Sequence, residues 1–123
     1  MVQKIPIMAE IELTRFVHGY PMGYDQRTQS RKGVFDNTVR NYGGHGRKTA
    51  QLWLLNHGYY ERGNLVSHDG LADGLFLTEK GNEAIKSLNI KAKIKRDETA
   101  AKSEGLRLSQ YLSQKLPKSM RYV

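Results

Sequence analysis

The stretch Gln51-Leu52-Trp53-Leu54-Leu55-Asn56-His57-Gly58-Tyr59-Tyr60, followed after a turn-rich interval by Gly74-Leu75-Phe76-Leu77-Thr78-Glu79-Lys80-Gly81-Asn82-Glu83-Ala84-Ile85, decides how this chain is read. Ala50, Trp53 and Leu54 recur at helical spacing, Leu52 and Leu55 broaden the same face, and Gly58 is placed to let the chain leave a helix spanning residues 47–57. The period then changes. Residues 59–67 and 75–77 form two apolar strands around the loop 68–74, which predicts a β-hairpin, with one of Tyr59 and Tyr60 facing inward and the other exposed. Thr78, with Glu79 after it, caps a helix running to about Leu88, whose inward side is Ala84, Ile85 and Leu88.

Working outward, Ala9, Leu13, Phe16 and Val17 mark a helix from Ile7 to His18, closed by Gly19 and Pro21. Ser30 caps an expected second helix over residues 30–42 with Val34, Phe35, Thr38, Val39 and Tyr42 on its apolar side, although Gly33 opposes it. Gly43-Gly44-His45-Gly46 then supplies a sharp turn. Beyond residue 88, the alternation of Ile90, Ala92 and Ile94 with Lys91, Lys93 and Lys95 permits a short strand or a basic linker over 89–96. A last helix over 97–116 places Ala101, Leu108, Tyr111, Leu112 and Leu116 on one side, with Gly105 as its weak point and Pro117 as its stop. The expected organisation is one domain over residues 1–88, a connector over 89–96, and a C-terminal helix and tail over 97–123.

Leu55-Asn56-His57-Gly58-Tyr59 and Leu77-Thr78-Glu79-Lys80-Gly81 resemble the two signature motifs of winged-helix domains such as those of the MarR and PadR regulators. The resemblance covers residues 30–88. It implies an α+β, mainly helical winged helix with a β-hairpin wing and an appended C-terminal helix. It also implies that residues 47–57 occupy the recognition position, whose first turn enters the major groove of duplex DNA. His45, Arg47, Lys48, Thr49 and Gln51 lie there. Arginine and glutamine suit guanine and adenine edges, whereas Lys48 and Thr49 suit phosphates. The wing tip carries Asp69 and Asp73, with His68 as its one donor. Arg27, Arg31, Lys32 and Arg40 are therefore the expected phosphate contacts.

Charge supports a polyanionic partner. The 123 residues carry a net charge of +8; residues 21–50 hold six basic and two acidic side chains and 89–123 hold nine and three, against three and five in 51–88. Basic blocks of this kind attract nucleic acid. The chain has no cysteine, which excludes disulfides and thiolate chemistry. His18, His45, His57 and His68 have no metal-pair spacing, the contiguous Ser67-His68-Asp69 does not make a triad, and residues 43–49 lack the glycine spacing and preceding strand of a nucleotide-hydrolysing loop. No enzyme activity, metal or cofactor is expected.

The longest strongly apolar run is Leu52–Leu55 and the N-terminus lacks a secretory stretch, so a cytoplasmic or nucleoid-associated protein with no membrane role is expected. The leading expectation is a small transcriptional regulator on duplex DNA. A structural RNA-binding protein of the ribosomal kind, or a mobile-element inhibitor or adaptor of a protein–nucleic-acid complex, would need the same charge. A homodimer or protein partner would use residues 97–123.

Overall fold

The computed structural model describes residues 4–19, 23–40 and 47–116. In chain order these are α1 (Ile7–His18), β1 (Gly23–Asp25), β2 (Lys32–Phe35), α2 (Arg47–Asn56), β3 (Tyr60–Ser67), β4 (Gly70–Leu77), α3 (Glu79–Ser87), α4 (Ile90–Ser103) and α5 (Leu108–Gln114). The class is α+β. The strands close into a four-stranded antiparallel barrel in the order β1-β2-β4-β3.

The β3–β4 hairpin is longer than its apolar runs suggest. Ser67 pairs with Gly70 across a tight turn, so most of the expected 68–74 loop is strand. Nor does the hairpin stand free as a wing. β1 pairs with residues 65–67 of β3 and β2 pairs with residues 74–76 of β4, covering part of each outer edge that a lone hairpin presents.

The helix expected over 30–42 does not form. Lys32–Phe35 is a strand and residues 37–39 are a turn. The barrel interior explains the choice. Leu65 and Phe76 are fully buried in it. A Cβ on Gly33 would lie 2.4 Å from the Phe76 ring, and one on Gly74 would lie 2.8 Å from the Leu65 Cβ. Glycine at position 33 thus admits the ring of Phe76, and the strand it sits in pairs Val34 with Leu75. Asp36, 1% exposed, ends the strand by accepting from the Thr38 amide at 2.9 Å. Val39, placed on the apolar side of the expected helix, is exposed.

Alternation on the hairpin separates two faces. Gly63, Leu65, Gly74 and Phe76 face the barrel interior. On the other face Tyr60 and Leu75 are buried and join Val34 in a helical core with Leu13 and Phe16 of α1, Leu54 of α2 and Ile90 of α4. Both Tyr59 and Tyr60 are buried, against the expected division. Tyr59 lies just before β3, stacked on Trp53 at 5.7 Å with the Lys80 ammonium 4.4 Å from its ring.

Residues 89–96 are neither linker nor strand. They begin α4, which Asn89 enters in the left-handed conformation at φ 53°. The last helix is divided at Gly105, φ +72°, into α4 and α5. These helices belong to the core: Ile90, Ile94, Leu108, Leu112 and Leu116 pack in the same cluster as α1. Arg15 donates to Ser113 Oγ at 3.1 Å and Lys93 pairs with Glu10 at 2.5 Å. The apolar side proposed for a dimer is turned inward. Pro117 to Val123 lie outside the described residues.

Gly33→Ala should destabilise the protein by about 1–3 kcal/mol through overpacking. A double-mutant cycle with Phe76→Leu, read by urea denaturation, should show positive coupling, because the smaller side chain gives the new methyl part of its room. Strict additivity would show that the ring does not set the glycine requirement.

Candidate nucleic-acid interface

The residues proposed to read bases are internal. Arg47, at the start of α2, is 8% exposed and forms a two-pronged ion pair with Glu12 of α1: its Nε donates to Oε1 at 2.7 Å and an Nη donates to Oε2. Gln51, one turn later, is fully buried. Its Oε1 accepts from the Asn37 amide at 2.8 Å, and its Nε2 donates to the Phe35 carbonyl at 3.1 Å and to Glu12 at 3.3 Å. Neither side chain is presented to a groove of DNA. They tie α1 and α2 to the chain leaving β2.

Arg31 is half-buried and held by other partners. It pairs with Glu61 at 2.5 Å and Asp25 at 3.6 Å, lies 5.3 Å from the Phe76 ring centroid, and donates to the Leu77 carbonyl. Arg27 is exposed, its amide donating to Asp25 at 2.9 Å and its guanidinium 3.5 Å from the same carboxylate. Lys48 and Thr49 are exposed on the first turn of α2, Arg40 is exposed beyond β2, and His68 is exposed at the hairpin turn. His45 lies outside the described residues.

Of the nine described side chains among those named from sequence, Lys32 alone lines a groove of about 860 Å3. That groove runs between the end of α1 (Phe16, Val17, His18), the β1–β2 pair (Tyr24, Lys32), Leu77 at the end of β4, α3 (Ile85, Lys86) and Lys91 at the start of α4. Its volume falls within the roughly 300–1,000 Å3 of ligand clefts. Among the described residues, no Asp or Glu lines it. Lys32, Lys86 and Lys91 are exposed and make no ion pair among the described residues. His18, at its edge, is 2.9 Å from Glu98.

Lys86, Lys91 and Tyr24 were missed by sequence reasoning. Lys86 sits in a locally acidic segment, and Lys91 is one of a run of alternating lysines with nothing to single it out. Only the packing of α4 against α1, and of α3 against α4 and β4, brings them beside Lys32.

Two titrating groups are displaced. Despite its burial, Asp25 is held below its ordinary value of 3.8, chiefly by the Arg27 amide, helped by the Arg27 and Arg31 guanidinia. Burial pushes the Tyr60 hydroxyl well above 10.0, reinforced by the Glu12 charge. That hydroxyl has no hydrogen-bond partner among the described residues.

No protein-family model, no curated protein and no solved structure matches the chain. Among the described residues, no helix is long and apolar enough to cross a membrane.

Arg47→Ala should cost about 3–5 kcal/mol of stability, because it leaves the Glu12 carboxylate buried without its cation. Lys48→Ala, on the adjacent exposed position, should change stability by no more than about 0.5 kcal/mol. Chemical denaturation of the two variants checks this; an unchanged Arg47→Ala would remove the internal role.

Asp25 generates a pH dependence. Its folded form favours the carboxylate, so its contribution is complete above the ordinary value of 3.8 and is lost as pH falls through the lower folded value. Asp25→Asn should therefore be less stable than the native chain near neutrality, and the gap should narrow on acidification below about pH 4. A gap independent of pH would show that the charge of Asp25 is not involved.

Proposed function

We propose that this protein binds nucleic acid along the groove between α1, the barrel, α3 and α4, as a non-catalytic intracellular module that grips the phosphate backbone. One observation carries the reading. Three lysines from three separate elements, Lys32, Lys86 and Lys91, line one groove whose described lining includes no carboxylate. Converging cations without internal counter-charges draw in a polyanion, and multiple phosphates supply the matching spacing. The overall charge of +8 acts in the same direction at longer range.

Duplex recognition by the first turn of α2 has less to work with. Arg47 and Gln51 are occupied internally, leaving Lys48 and Thr49 as exposed side chains there, and both suit phosphates better than base edges. Kinship with winged-helix proteins rests on the hairpin after α2 and on the Thr78 cap, whose Oγ1 accepts from the Gly81 amide at 3.1 Å. It does not require a major-groove reader.

Binding to short labelled oligonucleotides, followed by fluorescence anisotropy, should weaken with salt with a log–log slope of roughly −2 to −3, as expected for three neutralised phosphates. The Lys86→Ala/Lys91→Ala variant should weaken binding and make the slope shallower by about 1.5, with its thermal unfolding unchanged. A flat salt response, or a variant that binds as the native chain does, would overturn the proposal.

A further inference from the structure

The outer face of the barrel is covered by helices at one end and uncovered at the other. Tyr60, Leu75 and Val34 occupy the covered end. At the uncovered end Tyr24 of β1 pairs with Val66 of β3, and Val66 pairs with Leu71 of β4. Directly paired residues project from the same face of a sheet. The three form one apolar row, 48%, 41% and 65% exposed respectively. On the other side Tyr24 pairs with Lys32. The row runs Lys32, Tyr24, Val66, Leu71 across all four strands, and its first two members line the lysine groove.

Tyr24 is the distinctive member. Its ring takes part in no aromatic or cation–π contact among the described residues, although Tyr59, Tyr60 and Tyr111 all do. It stands at the junction of a cationic groove and an apolar strip, where one side attracts phosphates and the other offers a flat surface. At the usual strand spacing, Tyr24 to Leu71 spans about 10 Å.

We infer that this face binds single-stranded nucleic acid, with the backbone held by Lys32, Lys86 and Lys91 and an unpaired base stacked on Tyr24 against the Val66–Leu71 strip. The inference rests on the nucleic-acid reading of the groove and adds the strand state of the ligand. In a duplex the base faces are stacked on one another and unavailable to Tyr24, whereas an unpaired base exposes a π-face to it. Charge complementarity selects this occupant over a second copy of the chain. A two-fold contact through this face would bring the lysine groove of one copy close to that of the other.

The test uses the full chain and short labelled probes: a single-stranded DNA, an RNA of the same sequence, the matching duplex, and an abasic single strand. The native chain should bind either single strand about tenfold more tightly than the duplex, and removing the bases should abolish that preference. Tyr24→Ala should lose roughly ten- to hundredfold on the single strands and little on the duplex, while Tyr24→Phe, which keeps the ring, should bind as the native chain does. Thermal unfolding checks that both variants remain folded. A preference for RNA over DNA with the same Tyr24 dependence supports the inference and names the ligand. Equal affinity for single strand, duplex and abasic strand, all lost in Lys86→Ala/Lys91→Ala, would overturn base stacking while leaving the backbone-binding reading in place. Binding to none of the probes would overturn both. A native dimer in sedimentation that Leu71→Ser converts to monomer would overturn the inference by assigning the face to a second copy.

Discussion

The structure depends on the buried carboxylate of Glu12. It lies on α1 and is 1% exposed, a position that a lone charge occupies only at high cost. Arg47 and Gln51, one turn apart on α2, answer it together. Gln51 then carries the connection onward by accepting from Asn37 and donating to Phe35, where the chain leaves β2. One anion thereby sets the placement of two helices and the end of a barrel strand. The same contacts withdraw from the surface the two side chains whose chemistry suits base edges.

The second constraint is the narrow interior of the barrel. Four strands leave space for the side chains of Leu65 and Phe76, and glycines border them where a methyl group would collide. Arg31 lies over the Phe76 ring with its charge matched by Glu61 and Asp25. β1 and β2 close the barrel over residues 65–67 of β3 and 74–76 of β4. The helices cover only part of the barrel's outer face. Where they stop, Lys32 and Tyr24 remain at the surface, and the ends of α1, α3 and α4 form the remaining wall of the groove.

Legibility varied with the range of the interactions involved. α1 ran from Ile7 to His18 as its apolar stripe indicates, and Thr78 capped α3 as its position before Glu79 indicates, because both depend on neighbours three or four residues away. The segment that forms β2 suits a helix in sequence, because Val34, Phe35, Thr38 and Val39 fit a helical stripe equally well. What decides between the two is the ring of Phe76, more than forty residues later, resting where a Cβ on Gly33 would be. Similarly, alternating isoleucine and lysine over 90–95 does not distinguish a strand from a helix whose Ile90 and Ile94 share a face. Packing against α1 made it the helix.

The sequence by itself determined the α+β class, the helix-hairpin-helix order across residues 47–87, the basic character of the surface and the absence of thiol chemistry. These follow from local periodicity, capping and composition. Only the tertiary structure decided which charges are available. Arg47 and Lys48 are adjacent and equally basic, yet one is buried against Glu12 and the other is exposed, because successive helical positions point about 100° apart. Lys32, Lys86 and Lys91 are far apart in the chain and line one groove because helix packing places β2, α3 and α4 around the end of α1. A charge's role depends on what lies opposite it, and that partner is chosen by the fold.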